Sequence, residues 1–598
     1  MEKKILLLSL AFLLVASFLL TSCTKTTTPA TVTSTAITTS TATTTSTTTT
    51  TATTSTTTSA AATGPVYGGK LTVTGYRTSL SPVSFDPSTT NTNADYYIDP
   101  YAEYLLTGDI DGIGPRGTNA YNFQQQGMVP PQDLTGQLAT SWEQPDPLTL
   151  IFHIRQGVMW TGNSNIGMAP RAFTANDAAA ELNRIWKGPN GGGNYYYFAS
   201  FTATDASTLV IKMKTYSPDW YYRVGYGIKC EMIPPEEVAA PNGGALNWKN
   251  QVGTGPFILT DFVAGSYCSY TKNTNYWGST TIKGKQYQTP FIQTLVYPIV
   301  TDDSSLTAAI RTGKIDLALG ETETDKSSLP STMTTFDYLK NNAYQVAFKC
   351  DSGIFSDVNV RRAMMIGTDL NAIAKAVYPL GAEVNAMPIS PGDTDIYTPI
   401  SQMPASTAEL FTYDPTTAQK MLAAAGYPNG FTIQIDTQTD PTQEDIASLL
   451  ASQWAKLNVT LTVNPLPLAT WTNDFLGHTY QNVFMASTGN ADPVSCLQYK
   501  AIYGGYNISN YNDAKATAMF NQATALTDPT ARDAIFKQLT VYVIDQCEII
   551  GMPAPDVFGA YWPWIQNYHQ EVEAGYVNYV PIESRIWIDQ GIKAKLGY

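Results

Sequence analysis

Residues 24–64 are almost entirely Thr, Ser and Ala. This tract separates the N-terminal 23 residues from the part of the chain that can fold. The tract has no apolar periodicity, so it cannot bury enough surface to offset the conformational entropy lost on ordering. We therefore expect a disordered tether, which is either an unmodified spacer or a carrier of O-linked sugar. The folded part of the chain is then confined to residues 65–598, where apolar periodicity returns.

The first 22 residues have the pattern of a secretory signal peptide. Lys3 and Lys4 precede an apolar run over 5–20, which is shorter than the ~20 residues of a membrane-spanning helix. The run ends in the sequence LTSC, which is similar to the lipobox of bacterial lipoproteins. We therefore predict lipidation at Cys23, with a plain signal peptide as the alternative. Two or more acyl chains on Cys23 would anchor the tether 23–64 stably to a membrane.

Charge, histidine and cysteine content exclude several function classes. The 35 Lys and Arg against 49 Asp and Glu give a formal net charge of −14, which repels nucleic acid. The chain has three His and no CxxC motif, so we expect neither a metal site nor a cofactor. Five cysteines remain after Cys23, namely Cys230, Cys268, Cys350, Cys496 and Cys547. We expect them to be buried thiols, although an exported protein can form one disulfide among them.

Alternating helical and strand patterns predict an α/β fold. Strand patterns occur at 70–74, 149–154, 208–213, 315–319, 431–435 and 459–463,. Helical patterns occur at 175–186, 302–312, 415–425 and 443–457,. The clearest helix follows Asp414-Pro415, because proline is pre-organised for the first helical position, and Gly426 ends it.

No complete catalytic motif is present, which argues against an enzyme but does not exclude one, because catalytic sets can assemble from distant residues. The sequence GIGPRG at 112–117 fits G-x-G-x-x-G, but a proline interrupts it and we expect a surface loop. The 36 Tyr and 11 Trp are suited to peptide or sugar recognition, although most such rings fill cores. An exported glycosidase that uses paired carboxylates is the enzymatic alternative.

Several blocks in one order resemble the family 5 extracellular solute-binding proteins of ABC importers, the peptide/nickel-type group. They are SFDP at 84–87, LATSWE at 138–143, FHIRQGV at 152–158, FTAND at 173–177, VGTGPF at 252–257, NTNYWG at 273–278, TGKID at 312–316, FSDVNVRRA at 355–363, and YDP at 413–415 with AGY at 425–427. The resemblance covers about residues 67–560. We interpret most of these residues as structural.

The resemblance implies an α/β, two-lobed periplasmic-binding-protein fold (Venus flytrap, class II-like) with an extra subdomain in the first lobe. The first lobe would comprise 65–343 and 546–598, and the second 344–545, with hinges near 343–348 and 549–553. The implied function is capture of a small solute between the lobes and delivery to an ABC permease and its ATPase. The implied protein is a monomer on the extracytoplasmic face of a bacterial membrane. A surface receptor without transport is the alternative.

The ligand implied by the resemblance is an oligopeptide, with an oligosaccharide or a metal chelate as alternatives. In peptide-binding relatives a carboxylate before a D-P step of the second lobe neutralises the peptide α-amino group. Here Gly489 or Asn490 stands in its place before Asp492, so that contact is in doubt. Candidate ligand-binding residues are Tyr76, Arg77, Trp471, Thr488, Asn490 and Asp492. Arg77 is suited to a peptide carboxylate, and a surface ion pair is the alternative for Arg77 and Asp492.

Overall fold

The computed structural model describes residues 64–598, except for 75–80, 83, 90–91, 114–115, 119–122, 124–128, 189–196, 228, 322–325, 341, 386, 490–491 and 503–505. The predicted signal peptide, Cys23 and tether residues 24–63 lie outside the described residues. Within the described part, every helix is too short or too polar to cross a bilayer.

The strands of the described residues are β1 Lys70–Thr72, β2 Leu106–Gly108, β3 Leu134–Gly136, β4 Ala139–Asp146, β5 Thr149–Ile154, β6 Met159–Trp160, β7 Arg171–Ala172, β8 Phe198–Asp205, β9 Thr208–Met213, β10 Phe257–Val263, β11 Tyr267–Lys272, β12 Ser279–Ile282, β13 Lys285–Gln288, β14 Thr294–Pro298, β15 Leu317–Glu321, β16 Thr334–Leu339, β17 Asn342–Phe348, β18 Ala382–Glu383, β19 Phe431–Gln438, β20 Val459–Leu466, β21 Val483–Gly489, β22 Ile549–Gly551, β23 Ala554–Tyr561, β24 Ile565–Gln566 and β25 Trp587–Ile588.

The α-helices of the same residues are α1 Thr92–Ile98, α2 Ala175–Lys187, α3 Pro235–Val238, α4 Asp303–Arg311, α5 Val358–Ile366, α6 Leu370–Val377, α7 Ala405–Ala408, α8 Pro415–Ala424, α9 Pro441–Ala455, α10 Leu468–Gly477, α11 Pro493–Ala501, α12 Ala514–Thr524, α13 Pro529–Gln546, α14 Val580–Glu583 and α15 Gln590–Lys595.

Local sequence signals placed most of the predicted elements correctly. The predicted helix after Asp414 is α8, and the Asp414 carboxylate accepts hydrogen bonds from the backbone N–H groups of Thr416 and Thr417,. The strands predicted at 149–154 and 208–213 are β5 and β9. The strand predicted at 315–319 begins later, at Leu317, and the backbone N–H of Asp316 donates to the carbonyl oxygen of Thr72 at 2.9 Å.

The first hydrophobic core draws side chains from residues 71–338 and 557–588. Its sheets have the strand orders β1-β14-β11-β10, β4-β5-β9-β8 and β15-β23-β16. The VGTGPF block lies here, and it is a site of close packing. A Cβ on Gly253 would overlap the carbonyl oxygen of Tyr101, so only glycine fits that position without a backbone shift.

The second core draws side chains from residues 346–485 and 547–552. It forms around the sheet β20-β19-β21-β17-β22, in which β19 is parallel to β20 and to β21. A smaller helical core takes side chains from 389–543 and includes α11, α12 and α13. Cys350 packs against both of these cores, which makes them one continuous body.

The chain passes between the two parts of the molecule twice, along paired strands. β16 lies in the first-core sheet and is followed by β17 in the second-core sheet. β22 pairs with β17, and β23 returns to pair with β16. At these crossings the N–H of Lys340 donates to the carbonyl oxygen of Pro555, and the N–H of Met552 donates to that of Tyr344. The crossing segments are therefore short and hydrogen-bonded to each other.

Candidate functional site

A buried charge cluster lies where the two parts of the molecule face each other. Nη2 of Arg223 is 2.6 Å from Oδ2 of Asp219, and both side chains are buried. Arg223 belongs to the π-helical turn Tyr222–Tyr226, and Asp219 lies four residues before it. Asp492 approaches from the helical core and interacts electrostatically with both groups. We call Asp219, Arg223 and Asp492 the junction.

The local structure around Asp492 explains why a D-P step occurs there. Asp492 is the N-cap of α11, and its Oδ1 accepts a hydrogen bond of 2.7 Å from the N–H of Ser495. Pro493 takes the first helical position, where its missing N–H costs nothing,. Among the described residues, Oδ2 of Asp492 has no hydrogen-bond partner, although the side chain is only 1% exposed. One carboxylate oxygen of Asp492 therefore caps α11, and the other is left without a hydrogen bond from the described part of the chain, beside Asp219 and Arg223.

The junction contains more acidic than basic groups. Burial raises the pKa of the Asp492 carboxyl to about 7, and the Asp219 carboxylate adds to this rise while Arg223 opposes it,. Burial and then Asp492 likewise raise the pKa of Asp393 to about 7. Burial by itself would lower the pKa of the Arg223 guanidinium, but Asp219 and Asp492 hold that pKa above its usual range. The junction is thus suited to accept a proton or another positive group.

Replacing Asp492 by Asn is expected to stabilise the protein at pH 8 by on the order of 1 kcal/mol, and by less at pH 5. The raised pKa of Asp492 gives the folded state a stabilisation that is complete below about pH 4 and is lost as the pH rises through about 7. Asn carries no such penalty, and it still caps a helix. Urea unfolding at both pH values measures the difference, and a gain independent of pH would contradict this assignment.

A cavity of about 390 Å³ lies at the crossing strands; we call it the crossing cavity. Its walls come from the first-core residues Gly320, Pro555, Asp556 and Val557, and from second-core residues that include Asn342, Tyr344, Tyr378, Thr442 and Ser487. The carboxyl end of β21 and the N-terminus of α9 meet here, at the edge of a sheet with parallel strands. Ligands of α/β proteins bind at such edges.

Polar groups inside the crossing cavity point to a hydrogen-bonding ligand. The hydroxyl of Tyr344 donates to Oδ1 of Asp440 at 3.3 Å, and Asp440 also caps α9. The hydroxyl of Ser487 donates to Oδ1 of Asn342 at 2.6 Å. Burial lowers the pKa of the Lys340 ammonium at the cavity wall, while Asp440 opposes that change. The crossing cavity, which is partly open to solvent, thus has donors, acceptors and the Lys340 cation at or beside its walls.

A second, separate cavity lies beside the junction. It is a cavity of about 90 Å³ lined by Pro130, Pro131 and Tyr221 on the first-core side. On the other side it is lined by Asp393, Pro493 and Arg532, among others. Because Pro493 follows Asp492 directly, this cavity lies next to the junction.

The structure describes only part of the candidate set predicted from the sequence. Tyr76, Arg77 and Asn490 lie outside the described residues. Thr488 pairs through its backbone with Ala343 in the sheet, and its side chain also lies outside the described part. Trp471 and Asp492 are described, and both belong to the second half of the molecule.

Trp471 lies on α10 and is half-buried. Its Nε1–H donates to the carbonyl oxygen of Met485 at 3.0 Å, and its ring lies parallel to that of Phe475. Sequence reasoning missed Asp219, Arg223, Lys340 and Tyr344. The only local signal was the four-residue spacing of Asp219 and Arg223, which suits an ion pair within one helical turn.

The structure describes most of the side chains that could bind a metal ion and all five cysteines after Cys23. Within the described residues, His, Cys, Asp and Glu side chains form no group of three that could hold a metal ion. All five cysteines after Cys23 are free thiols; Cys350 is half-buried and the others are buried. The expectation of buried single thiols is therefore met at four positions.

His153 lies on the exposed face of β5, with Nε2 2.6 Å from Glu143.

The sequence of this chain matches a known protein family over most of the folded region. Residues 133–531 match the model of bacterial extracellular solute-binding proteins, family 5 (middle region). The chain belongs to this family. The resemblance seen in the sequence blocks is thereby confirmed, and the family consists of binding proteins that act outside the cytoplasm.

Two curated relatives of this family 5 protein are similar along most of their length. One is the heme-binding protein A of Haemophilus influenzae, which is 29% identical over 73% of this chain and 82% of the relative. The other is the dipeptide-binding protein of Escherichia coli, which is 24% identical over 76% of this chain and 89% of the relative. Family members with similar sequences therefore differ in what their names say they bind.

A solved structure confirms the predicted fold of this family 5 protein. The ABC transporter-associated periplasmic binding protein from Helicobacter pylori, in complex with the peptide STSA, superposes with a TM-score of 0.67 at 18% identity. The match covers 88% of this chain and 98% of the other. The chain thus has the two-lobed α/β fold of the periplasmic binding proteins.

Proposed function

We propose that this protein is the substrate-binding subunit of an ABC importer, which captures an oligopeptide between its lobes and delivers it unchanged to the membrane permease. The observation that carries the proposal is the crossing cavity, which lies between the two cores and presents both hydrogen-bond donors and acceptors. Peptides are supported as the ligand class by the names of the Escherichia coli relative and of the Helicobacter pylori complex.

We propose lobes over 65–343 with 546–598 and over 344–545. The proposed hinges, near 343–348 and 549–553, lie beside the two crossings at which the chain leaves one sheet for the other. Residues 547–552 belong to the return segment but pack on the second core. A ligand that contacts both lobes binds the closed form more tightly, so it shifts the population toward closure.

The proposed ligand contacts are Tyr76, Arg77, Trp471, Thr488, Asn490 and Asp492, together with the walls of the crossing cavity. Arg77 and Lys340 are cations suited to a peptide carboxylate. The excess carboxylate of the junction is suited to an ammonium group. No bond in the ligand is broken in this scheme, so the protein has no catalytic step.

We further propose that Cys23 is lipidated after removal of residues 1–22. The tether 23–64 would then hold a monomeric binding protein at the extracytoplasmic face of the cell membrane. This placement is supported by the LTSC sequence and the composition of the tract,. Mass spectrometry of the N-terminal fragment of the membrane-extracted protein would detect the added acyl mass.

Thermal-shift screening of the full-length protein tests the ligand class. Peptides at 100 times their Kd are expected to stabilise the folded state by about 2.7 kcal/mol, whereas cello-oligosaccharides and nickel chelates are expected to give no shift. Ser487→Trp fills the crossing cavity and is expected to abolish the shift. Ser164→Trp, at an exposed position of the first core, is the matched control. No shift with any peptide, or a shift that survives Ser487→Trp, would contradict the proposal.

A further inference from the structure

Helix α10 presents an apolar surface to solvent. None of its residues is fully buried, and Leu468 and Leu476 are 65% and 57% exposed. These two leucines, Trp471 and Phe475 recur at spacings of three, four and eight residues, which places them on one face of the helix. Trp471 and Phe475 pack partly against the small core that contains Phe484, so the apolar surface left to solvent consists of Leu468, Leu476 and the exposed parts of the two rings.

The stripe continues into a row of aromatic rings. The rings of Trp471 and Phe475 are nearly parallel, with centroids 5.4 Å apart and an angle of 14°. The ring of Phe475 is 5.8 Å from that of Tyr506, which in turn is 5.2 Å from that of Tyr499. Tyr506 is 52% exposed. We call Trp471, Phe475, Tyr506 and Tyr499 the aromatic row.

The aromatic row ends at the junction. Tyr499 lies on α11, two helical turns after the cap residue Asp492,. Its hydroxyl interacts electrostatically with Asp492 and with Arg223, which belongs to the first lobe. The row is therefore continuous with the surface where the two lobes meet.

We propose that the aromatic row, with Leu468 and Leu476, is a subsite for an aromatic or large aliphatic side chain of the peptide ligand. The inference rests on the proposed function and adds a preference within it. Its continuity with the junction distinguishes this surface from an apolar patch elsewhere on the molecule. A side chain that is held here buries apolar area against rings that are already ordered, so little side-chain entropy is lost.

The chemistry of the row favours an apolar side chain over a sugar. Sugar recognition needs hydrogen-bonding groups beside the stacking ring. The Trp471 Nε1–H already donates to Met485, and leucines lie on the same helix face as the two rings. Leu468 and Leu476 thus add exposed aliphatic surface beside the rings, which suits phenylalanine or leucine side chains.

Calorimetric titration of the full-length protein with alanine peptides tests this subsite. The probes are tri- and pentapeptides of alanine and the same peptides with one alanine replaced by phenylalanine at each position in turn. At least one phenylalanine peptide is expected to bind about tenfold more tightly than its alanine parent. The double variant Leu476→Ala, Tyr506→Ala is expected to abolish this advantage while leaving the affinity for the alanine peptide unchanged.

The control is Leu246→Ala, since Leu246 is 54% exposed and lies in the first lobe; it is expected to preserve the tenfold preference. If alanine and phenylalanine peptides bind equally well, the subsite is wrong while the proposed function stands. If no peptide binds, both are wrong. Equal loss of affinity for alanine and phenylalanine peptides in the double variant overturns the subsite.

Discussion

Replacing Arg223 by Met is expected to lower the free energy of unfolding by about 3–5 kcal/mol. Arg223 is the only cation in the junction, and its Nη2 is 2.6 Å from Asp219. Without it, the carboxylates of Asp219 and Asp492 are left buried and facing each other. The guanidinium also lies over the ring of Tyr197, with 4.7 Å to the centroid, and this contact is lost as well. Urea unfolding at pH 8 measures the change.

Lys326→Met is the control for Arg223→Met. Lys326 pairs with Asp337 at 2.5 Å, but both side chains are partly exposed, so its loss should cost about 1 kcal/mol or less. Lower pH should relieve the Arg223→Met variant, because protonation of Asp492 removes one of the two buried charges. If both variants lose the same small amount, the junction is solvated and its charges are not buried.

Replacing Lys500 by Met is expected to cost about 3 kcal/mol at pH 8. Lys500 is 3% exposed, and its Nζ donates to Oε1 of Gln345 at 2.5 Å. Its ammonium charge stabilises the carboxylate of Glu548 electrostatically. Glu548 is 1% exposed and accepts a hydrogen bond of 2.6 Å from Ser509. The substitution leaves Glu548 with a weaker counter-charge, beside the strand β22 at the crossing.

The cost of Lys500→Met should depend on pH. Burial raises the pKa of Glu548 to about 7 even with Lys500 present, and removal of that ammonium raises it further. The variant therefore retains more of its stability at pH 5, where Glu548 binds a proton, and loses it as the pH rises through 7. A double-mutant cycle tests this interaction. Adding Glu548→Gln to Lys500→Met should restore most of the free energy of unfolding that is lost at pH 8. No recovery would contradict a direct interaction of the two charges.

The sequence alone predicted the elements whose signals are local. Asp414 and Pro415 carry the cap and first position of α8 within adjacent residues, so no tertiary information was needed. Asp492 and Pro493 do the same for α11, and the family resemblance points to this D-P step without indicating its capping role. Gly253 lies in one of the blocks that resemble the family, but the contact that requires glycine there comes from Tyr101, far away in the chain.

The candidate site was harder to predict because it is built from distant segments. Arg223 and Asp492 lie beside different hydrophobic cores, and no periodic pattern in the sequence indicates that they meet. Lys340 and Tyr344 lie on the crossing segments, where the sequence shows only an ordinary apolar strand. Trp471 was selected for its ring, yet its half-buried position and its hydrogen bond to Met485 are set by the sheet beneath it. Such features depend on tertiary packing and not on propensity.

The central claim is that the two lobes close on a ligand and release it intact. Spin labels at Thr140→Cys in the first lobe and Asn521→Cys in the second, both exposed positions, would report the distance between lobes by pulsed electron resonance. The single-cysteine variants correct for labelling of native thiols. With the peptide that gives the largest thermal shift, we expect a shorter and narrower distance distribution and recovery of the peptide at its original mass. An unchanged distribution at saturation, or a cleaved peptide, would contradict the claim.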